Sequence, residues 1–285
     1  MNMKVIVPLD FSPTSMRALK AGVEIANKIK ADIRVIYVEP ESTVAKGYEQ
    51  TILREEADIN QVLENIVGET QKEYYVEKGR FDYVIRKGNV SQEIINQSKY
   101  DNATMIVMGS HGVSGIATSW IGGNTYRVIS NVSCPVLVIR HDMVYDQNFR
   151  RIAITLTSKK SSRYKVPTVA GLAKVLGASI SLLGIQRTNM EAIFRSISLA
   201  IHQVEAYLKK HNIEVERTST MRGKDFEPKL LESLNMLKAD MVAIDITNTG
   251  AFLADRFRPF LINLINNSAC PVLTIPIDDT KNIVR

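Results

Sequence analysis

The chain has 285 residues, of which 45% are hydrophobic and 23% are charged, and its formal net charge is +6. That length suggests two domains of ordinary size, and no apolar run approaches the roughly 18 residues that cross a bilayer, which argues against an integral membrane protein. The first residues enter a strand-like run without the basic and apolar regions of a secretory signal, so we expect a cytoplasmic protein.

Strand-like and helix-like segments alternate through the first half of the chain. Strands are predicted at residues 4–9, 33–38, 81–86, 104–108 and 136–139, and helices at 14–29, 42–72, 91–99 and 123–131. Ser12 and Pro13 supply an N-cap and a proline at the first position of the first helix. This alternation predicts an α/β fold with a mostly parallel sheet and helices on both faces.

The second half follows the same order. Its strands include residues 152–156, 179–184 and 241–246, and a shorter version of the long helix is predicted at 190–211. A linker is expected at 141–149. The sequence therefore predicts one domain at residues 1–144 and a second at 149–285.

A short signature closes both halves. The sequence SCPVLVI at residues 133–139 recurs 136 residues later as ACPVLTI at 269–275. An internal repeat of that length indicates two domains of one fold. Cys134 and Cys270 each precede a proline at the mouth of an apolar strand, without a nearby His or second Cys. We expect two buried, reduced thiols.

Three other features offer weaker evidence of a functional site. The basic stretch KKSSR at residues 159–163, with Lys165, has one aromatic neighbour and no nucleic-acid motif, so a solvated loop is expected. His202 and His211 are too far apart on their helix for a metal pair and should lie at the surface. Trp120 is expected in core or interface packing.

A glycine-rich loop follows the fourth strand. Gly109, Gly112 and Gly122 have the spacing Gly-x2-Gly-x9-Gly. Such a turn between a parallel strand and a helix can place backbone N–H groups around a phosphate, and the helix N-terminus adds partial positive charge. The spacing is neither a Walker sequence nor the dinucleotide fingerprint. On these residues alone, glycines that serve only tight turns remain an equal alternative.

Four motifs in this order resemble the universal stress proteins in their tandem form. They are PLD at residues 8–10, MGSHG at 108–112, the glycine spacing and the final Cys-Pro-Val strand, and the resemblance covers essentially the whole chain. It implies an adenine nucleotide alpha hydrolase-like fold with two doubly wound domains, each with a five-stranded sheet in the order 3-2-1-4-5. Strands one and four would then flank the switch point where α/β folds bind ligands.

The resemblance also implies that the first domain binds ATP or another adenine nucleotide, with or without Mg²⁺. The implied adenine and ribose contacts are Pro8, Leu9, Asp10, Val38, Met108 and Gly109. The implied contacts around the phosphates are Gly112, Gly122, Gly123, Asn124 and Thr125, with His111 at the rim of the site rather than acting as a general base. No metal site built from side chains is expected.

Two departures from the family pattern bear on binding. Gly123 replaces the Ser or Thr that should follow Gly122, which removes a hydroxyl from the phosphate end, although Asn124 and Thr125 could donate instead. In the second copy, the residues that stand for Asp10, Gly109, Gly112, Gly122 and Gly123 are Thr157, Asp245, Asn248, Arg258 and Pro259. The aspartate should repel phosphate and the proline lacks an N–H, so this copy is predicted to be degenerate.

The favoured function is a regulatory stress-response protein that binds nucleotide and is not an enzyme beyond slow ATP hydrolysis. One alternative is a family member that binds no nucleotide and acts through protein association or another small ligand. Another alternative is a weak ATP hydrolase, but the glycine loop lacks a lysine, which argues against it. Residues 136–139 and 272–275 are predicted to pair within the chain as a pseudo-dimer, with a further homodimer through other surfaces. No nucleic-acid or membrane partner is expected.

Overall fold

The computed structural model describes residues 3–40, 58–74, 79–111, 122–143, 148–247 and 250–277. The chain divides into two compact units, Met1–His141 and Asp142–Arg285. In the described part of the chain, no helix is long and apolar enough to cross a membrane.

The first unit alternates strands and helices as the sequence predicts. Its elements are β1 (Lys4–Pro8), α1 (Pro13–Ile29), β2 (Asp32–Pro40), α2 (Ile59–Tyr74), β3 (Phe81–Gly88), α3 (Val90–Tyr100), β4 (Met105–Gly109), α4 (Gly123–Asn131) and β5 (Val136–Ile139). The strands pair in parallel in the order β3-β2-β1-β4-β5. Of the long helix predicted at residues 42–72, the part before residue 58 lies outside the described residues.

Helix α1 begins where its sequence signals place it. The hydroxyl of Ser12 accepts a hydrogen bond from the Ser15 N–H at 3.1 Å, and Pro13 occupies the first turn, where its missing N–H costs nothing. Gly22 lets this helix approach the sheet closely, because a Cβ atom there would lie 2.7 Å from Val7 Cγ2. The end of β1 and the start of α1 are thus fixed against each other.

The core of the first unit lies between the helices and the central strands. Val5, Ile6 and Val7 of β1 are fully buried, and so are all four residues of β5. Strands covered on both faces read as continuous apolar runs, which is the pattern of a parallel sheet between helices. Each such side chain contributes about 1.5–3 kcal/mol through burial, so the strand ends that carry the candidate site rest on a rigid base.

The second unit repeats this fold. Its elements are β6 (Arg151–Leu156), a 3-10 turn (Lys160–Arg163), α5 (Val166–Leu176), β7 (Ser179–Gln186), α6 (Glu191–Lys210), β8 (Val215–Arg222), α7 (Phe226–Met236), β9 (Met241–Thr247), α8 (Gly250–Asn267) and β10 (Val272–Ile277). All pairs are parallel, in the order β8-β7-β6-β9-β10. Counted along the chain, this is again 3-2-1-4-5, so the predicted repeat of one fold is confirmed.

The two cysteines behave as the signature predicts. Cys134 and Cys270 are buried and are not joined in a disulfide. Burial raises the pKa of the Cys134 thiol to about 11 and that of Cys270 to about 12. Both thiols are therefore protonated and unreactive at neutral pH. His202 and His211 are exposed, also as predicted, whereas Trp120 lies outside the described residues.

Candidate functional site

The candidate site lies at the carboxyl edge of the first sheet. β1 and β4 are parallel neighbours, paired at Val5 with Met105 and at Ile6 with Ile106. The chain leaves β1 toward β2 on one side and leaves β4 toward β5 on the other, so the connections diverge and open a crevice between the two strand ends. The sheet therefore brings Pro8 together with Met108 and Gly109 at one switch point.

Asp10 is held in a tight turn between β1 and α1. Its carboxylate Oδ1 accepts hydrogen bonds from the Ser12 N–H at 3.1 Å and the Ser12 hydroxyl at 2.6 Å. Its own N–H donates to the Ser15 hydroxyl at 3.3 Å. These bonds fix the carboxylate at the mouth of the crevice, half-buried.

Sequence reasoning missed part of this turn. Phe11 has φ of +61°, in the left-handed region that non-glycine residues seldom adopt, and its ring packs 5.2 Å from that of Tyr37. Ser15 was the sequence signal for this turn. It is the third residue after the N-cap, and a hydroxyl at that spacing can accept a hydrogen bond from a backbone N–H at the end of the strand. The strained residue and two serines together define where Asp10 points.

The residues predicted around the adenine lie beside this turn. The Leu9 N–H donates to the carbonyl of Ile36 at 2.9 Å, so this donor is already used within the sheet. Val38 is buried near the end of β2, where it pairs with Arg86 of β3. The two residues offer a ligand an apolar wall at this edge rather than a set of side-chain polar groups.

Gly109 ends β4 at a point of close contact. A Cβ atom there would lie 2.9 Å from Thr14 Cγ2, so the first turn of α1 can approach only a glycine. The Gly109 carbonyl accepts a hydrogen bond from the Thr125 hydroxyl at 2.9 Å. Because Thr125 is buried and donates to the backbone, its hydroxyl joins the start of α4 to β4 and is not a donor for a phosphate in this conformation.

Gly122 is bound into the same junction. Its N–H donates to the Ser110 carbonyl at 2.8 Å, and a Cβ atom there would lie 3.1 Å from that oxygen. The glycine spacing therefore serves packing at this position, which was the alternative to phosphate binding. Gly112 lies outside the described residues.

The first turn of α4 presents the remaining donors. Gly123 and Asn124 are exposed, and a Cβ atom at Gly123 would meet no other atom within 4 Å. The N–H groups that open a helix have no acceptor within it, and the helix dipole adds partial positive charge there. An anion beside Gly123 would meet these groups without a side chain in the way.

His111 lies between the two glycine junctions. Its Nδ1 is 2.9 Å from the hydroxyl of Ser110, and its buried Nε2 has no hydrogen-bond partner among the described residues. Desolvation, then the charges of His141 and Arg140, lower the pKa of His111. The lowered pKa favours a neutral ring, so His111 adds little positive charge to the site, and its Nε2 is shielded from solvent.

The second unit keeps the turn but not its carboxylate. The Thr157 N–H donates to the Ser162 hydroxyl at 3.2 Å, and the Lys159 N–H donates to the Thr157 hydroxyl at 3.3 Å. These bonds match those of Asp10, Ser12 and Ser15 in the first unit. The second unit therefore keeps two hydrogen bonds of the turn, but a 3-10 turn, Lys160–Arg163, follows the strand where the first unit begins an α-helix.

Lys165 corrects two sequence-based expectations. It was expected in a solvated loop, but its side chain is 0% exposed, and its ammonium lies 2.6 Å from both Asp245 Oδ1 and the Ser162 carbonyl. By sequence offset it stands where the first unit has Ala18. The Asp245 charge near the end of β9, expected to repel phosphate, is instead compensated by this buried lysine.

Comparisons with known proteins agree with this architecture. Residues 1–140 match the model of the universal stress protein family. Universal stress protein YxiE of Bacillus subtilis is 29% identical over 145 residues, which are 48% of this chain and 98% of that protein. A universal stress protein of Methanocaldococcus jannaschii is 29% identical over 141 residues, which are 48% of this chain and 81% of that protein. The crystal structure of a universal stress protein from Archaeoglobus fulgidus covers 98% of this chain and 97% of its own, with a TM-score of 0.70 and 17% identity.

The fold defines a doubly wound α/β protein, a class in which ligands bind at the switch point where the strand order reverses. Residues 1–140 belong to the universal stress protein family, and the second unit repeats the fold of this half.

Proposed function

We propose that this protein is a stress-response regulator that binds ATP or a related adenine nucleotide in its first domain. The observation that carries the proposal is the Asp10 turn, which holds a carboxylate beside the ends of β1 and β4. A carboxylate can accept hydrogen bonds from both hydroxyls of a ribose. The start of α4 lies beyond Gly109 and offers N–H groups to the phosphates.

The same site supports binding more than turnover. The sequence of the glycine loop, residues 109–123, contains no lysine that could clamp a transferred phosphoryl group. We propose that nucleotide occupancy, rather than hydrolysis, carries the signal in the cytoplasm. The pairing of residues 136–139 with 272–275, and a homodimer beyond it, stay predictions.

An equilibrium titration of the full chain with ATP tests the proposal. We expect one site per chain, because the second copy lacks the Asp10 carboxylate and has the Lys165–Asp245 pair at the matching switch point. Isothermal titration calorimetry measures the stoichiometry directly. Two equivalent sites would contradict the prediction that only the first domain binds nucleotide. No binding at millimolar ATP would favour the alternative in which the protein binds no nucleotide and acts through protein association.

Gly123→Ser probes the phosphate end. The site has open space for the new side chain, so the hydroxyl should add one hydrogen bond to a triphosphate. We expect ATP to bind up to about tenfold more tightly, which corresponds to about 1.4 kcal/mol, while the affinity for AMP stays the same. Equal gains for both nucleotides would show that the start of α4 does not contact the terminal phosphates.

A further inference from the structure

The second unit has a small hollow at the start of α7. Its volume is about 260 Å³, below the range of about 300–1,000 Å³ typical of drug-sized ligand sites. Its lining residues are Arg187, Lys224, Phe226, Glu227, Pro259 and Phe260. Pro259 and Phe260 stand, by sequence offset, where the first unit has Gly123 and Asn124. The position that presents bare backbone in one unit therefore presents apolar side chains in the other.

Two aromatic rings form the apolar part of the hollow. Phe226 and Phe260 are both buried, with ring centroids 5.6 Å apart and the planes tilted by 42°. Pro259 adds a third apolar surface at the rim. Flat or compact apolar groups pack well against such an arrangement, since aromatic pairs favour tilted and offset contacts.

Two exposed cations accompany the rings. The Arg187 guanidinium lies 5.1 Å over the Phe226 ring, and Lys224 follows the end of β8. Across residues 148–247 and 250–277, neither cation forms an ion pair, although Arg222 and Lys229 nearby each have a carboxylate partner. The carboxylate of Glu227 accepts a hydrogen bond from the Asn263 amide at 2.6 Å, which does not cancel its charge, so the lining has two cations against one carboxylate.

We infer that this hollow binds a compact organic anion with a flat apolar body, such as an aromatic carboxylate. The rings receive the apolar body, and Arg187 and Lys224 receive the carboxylate, which gains strength from charge-assisted hydrogen bonds. The site needs no glycine backbone, and its volume is too small for a nucleoside triphosphate. The second unit is then a ligand domain of different specificity rather than an inactive copy.

The test uses benzoate as the probe and the full chain labelled with [¹³C]phenylalanine. Benzoate should shift the NMR signals of Phe226 and Phe260 saturably, and benzyl alcohol, its neutral counterpart, should bind at least about tenfold more weakly. The double variant Arg187→Gln/Lys224→Gln should weaken benzoate binding at least about tenfold. Lys210→Gln, which removes an exposed cation from the end of α6, should leave it unchanged.

Three results would overturn the inference. They are the absence of a saturable shift at Phe226 and Phe260, equal binding of benzyl alcohol, and wild-type affinity in the double variant. Repeating the titration in Asp10→Asn separates this site from the nucleotide site of the first domain. Unchanged benzoate binding there supports the inference whatever the outcome for ATP, while its loss would assign benzoate to the first domain and refute the inference.

Discussion

Asp245→Asn is expected to lower the free energy of unfolding of the second domain by about 3–5 kcal/mol. In the wild-type chain, the Lys165 ammonium lies 2.6 Å from Asp245 Oδ1. The substitution leaves this buried ammonium opposite a neutral amide. Desolvation already lowers the pKa of Lys165, and the charge of Asp245 opposes this effect. Urea denaturation followed by circular dichroism, with wild type and variant compared, measures the loss.

A double-mutant cycle tests whether the buried charge of Lys165 causes this loss of stability. Lys165→Met removes the buried charge and leaves Asp245, whose side chain is 19% exposed and can be solvated, so it should destabilise less than Asp245→Asn. The double variant Lys165→Met/Asp245→Asn should recover part of the loss, because no unpaired buried charge remains. Asp225→Asn, which breaks the exposed pair with Lys229, is the matched control and should have little effect. Additive losses around the cycle would contradict the pairing.

The Lys165–Asp245 pair distinguishes the switch point of the second unit from that of the first. The turn around Thr157 keeps two hydrogen bonds of the Asp10 turn, although a 3-10 turn replaces the first turn of the α-helix there. A lysine at the position of Ala18 reaches an aspartate at the position of Gly109. The second unit therefore has an internal ion pair where the first has Ala18 and Gly109, and it is the fully buried ammonium of Lys165 that requires its partner.

Local signals explain why much of the fold could be predicted from the sequence. The Ser12 cap, Pro13 and the apolar strand runs act within a few residues, and the structure places α1 and β5 where these signals indicate. Because the Cys-Pro-Val strand recurs in the second half, the topology predicted for one unit can also be predicted for the other. Helix and strand periods are properties of neighbouring residues, so no knowledge of distant partners is needed.

The details of the site depend on partners that are distant in sequence. Lys165 looks like a surface residue because charged side chains are seldom buried unpaired, and its partner lies 80 residues away. The glycine spacing likewise does not reveal that the Gly122 N–H and the Thr125 hydroxyl bind backbone carbonyls of Ser110 and Gly109. Sequence reasoning located the crevice, but which donors remain for a ligand is decided by tertiary hydrogen bonds.

Asp10→Asn is expected to weaken ATP binding by about 10- to 100-fold. Hydrogen bonds to a charged group contribute about 1.5–3 kcal/mol, and an amide replaces the ionised acceptor for the ribose hydroxyls with a weaker, partly donating group. The asparagine oxygen can still accept from the Ser12 N–H and hydroxyl, so the turn should persist and the melting temperature should change by less than about 2 °C. Calorimetric titration measures the affinity, and a thermal melt checks the fold.

Thr157→Asn is the matched control for this prediction, because it introduces the same side chain at the equivalent position of the second unit. It should leave ATP affinity unchanged, since the nucleotide is expected only beside Asp10. Wild-type affinity in Asp10→Asn, with an unchanged melting temperature, would mean that the carboxylate does not contact the ligand. A loss of affinity in both variants would instead mean that ATP binds through a property shared by the two units, and the asymmetric site would be refuted.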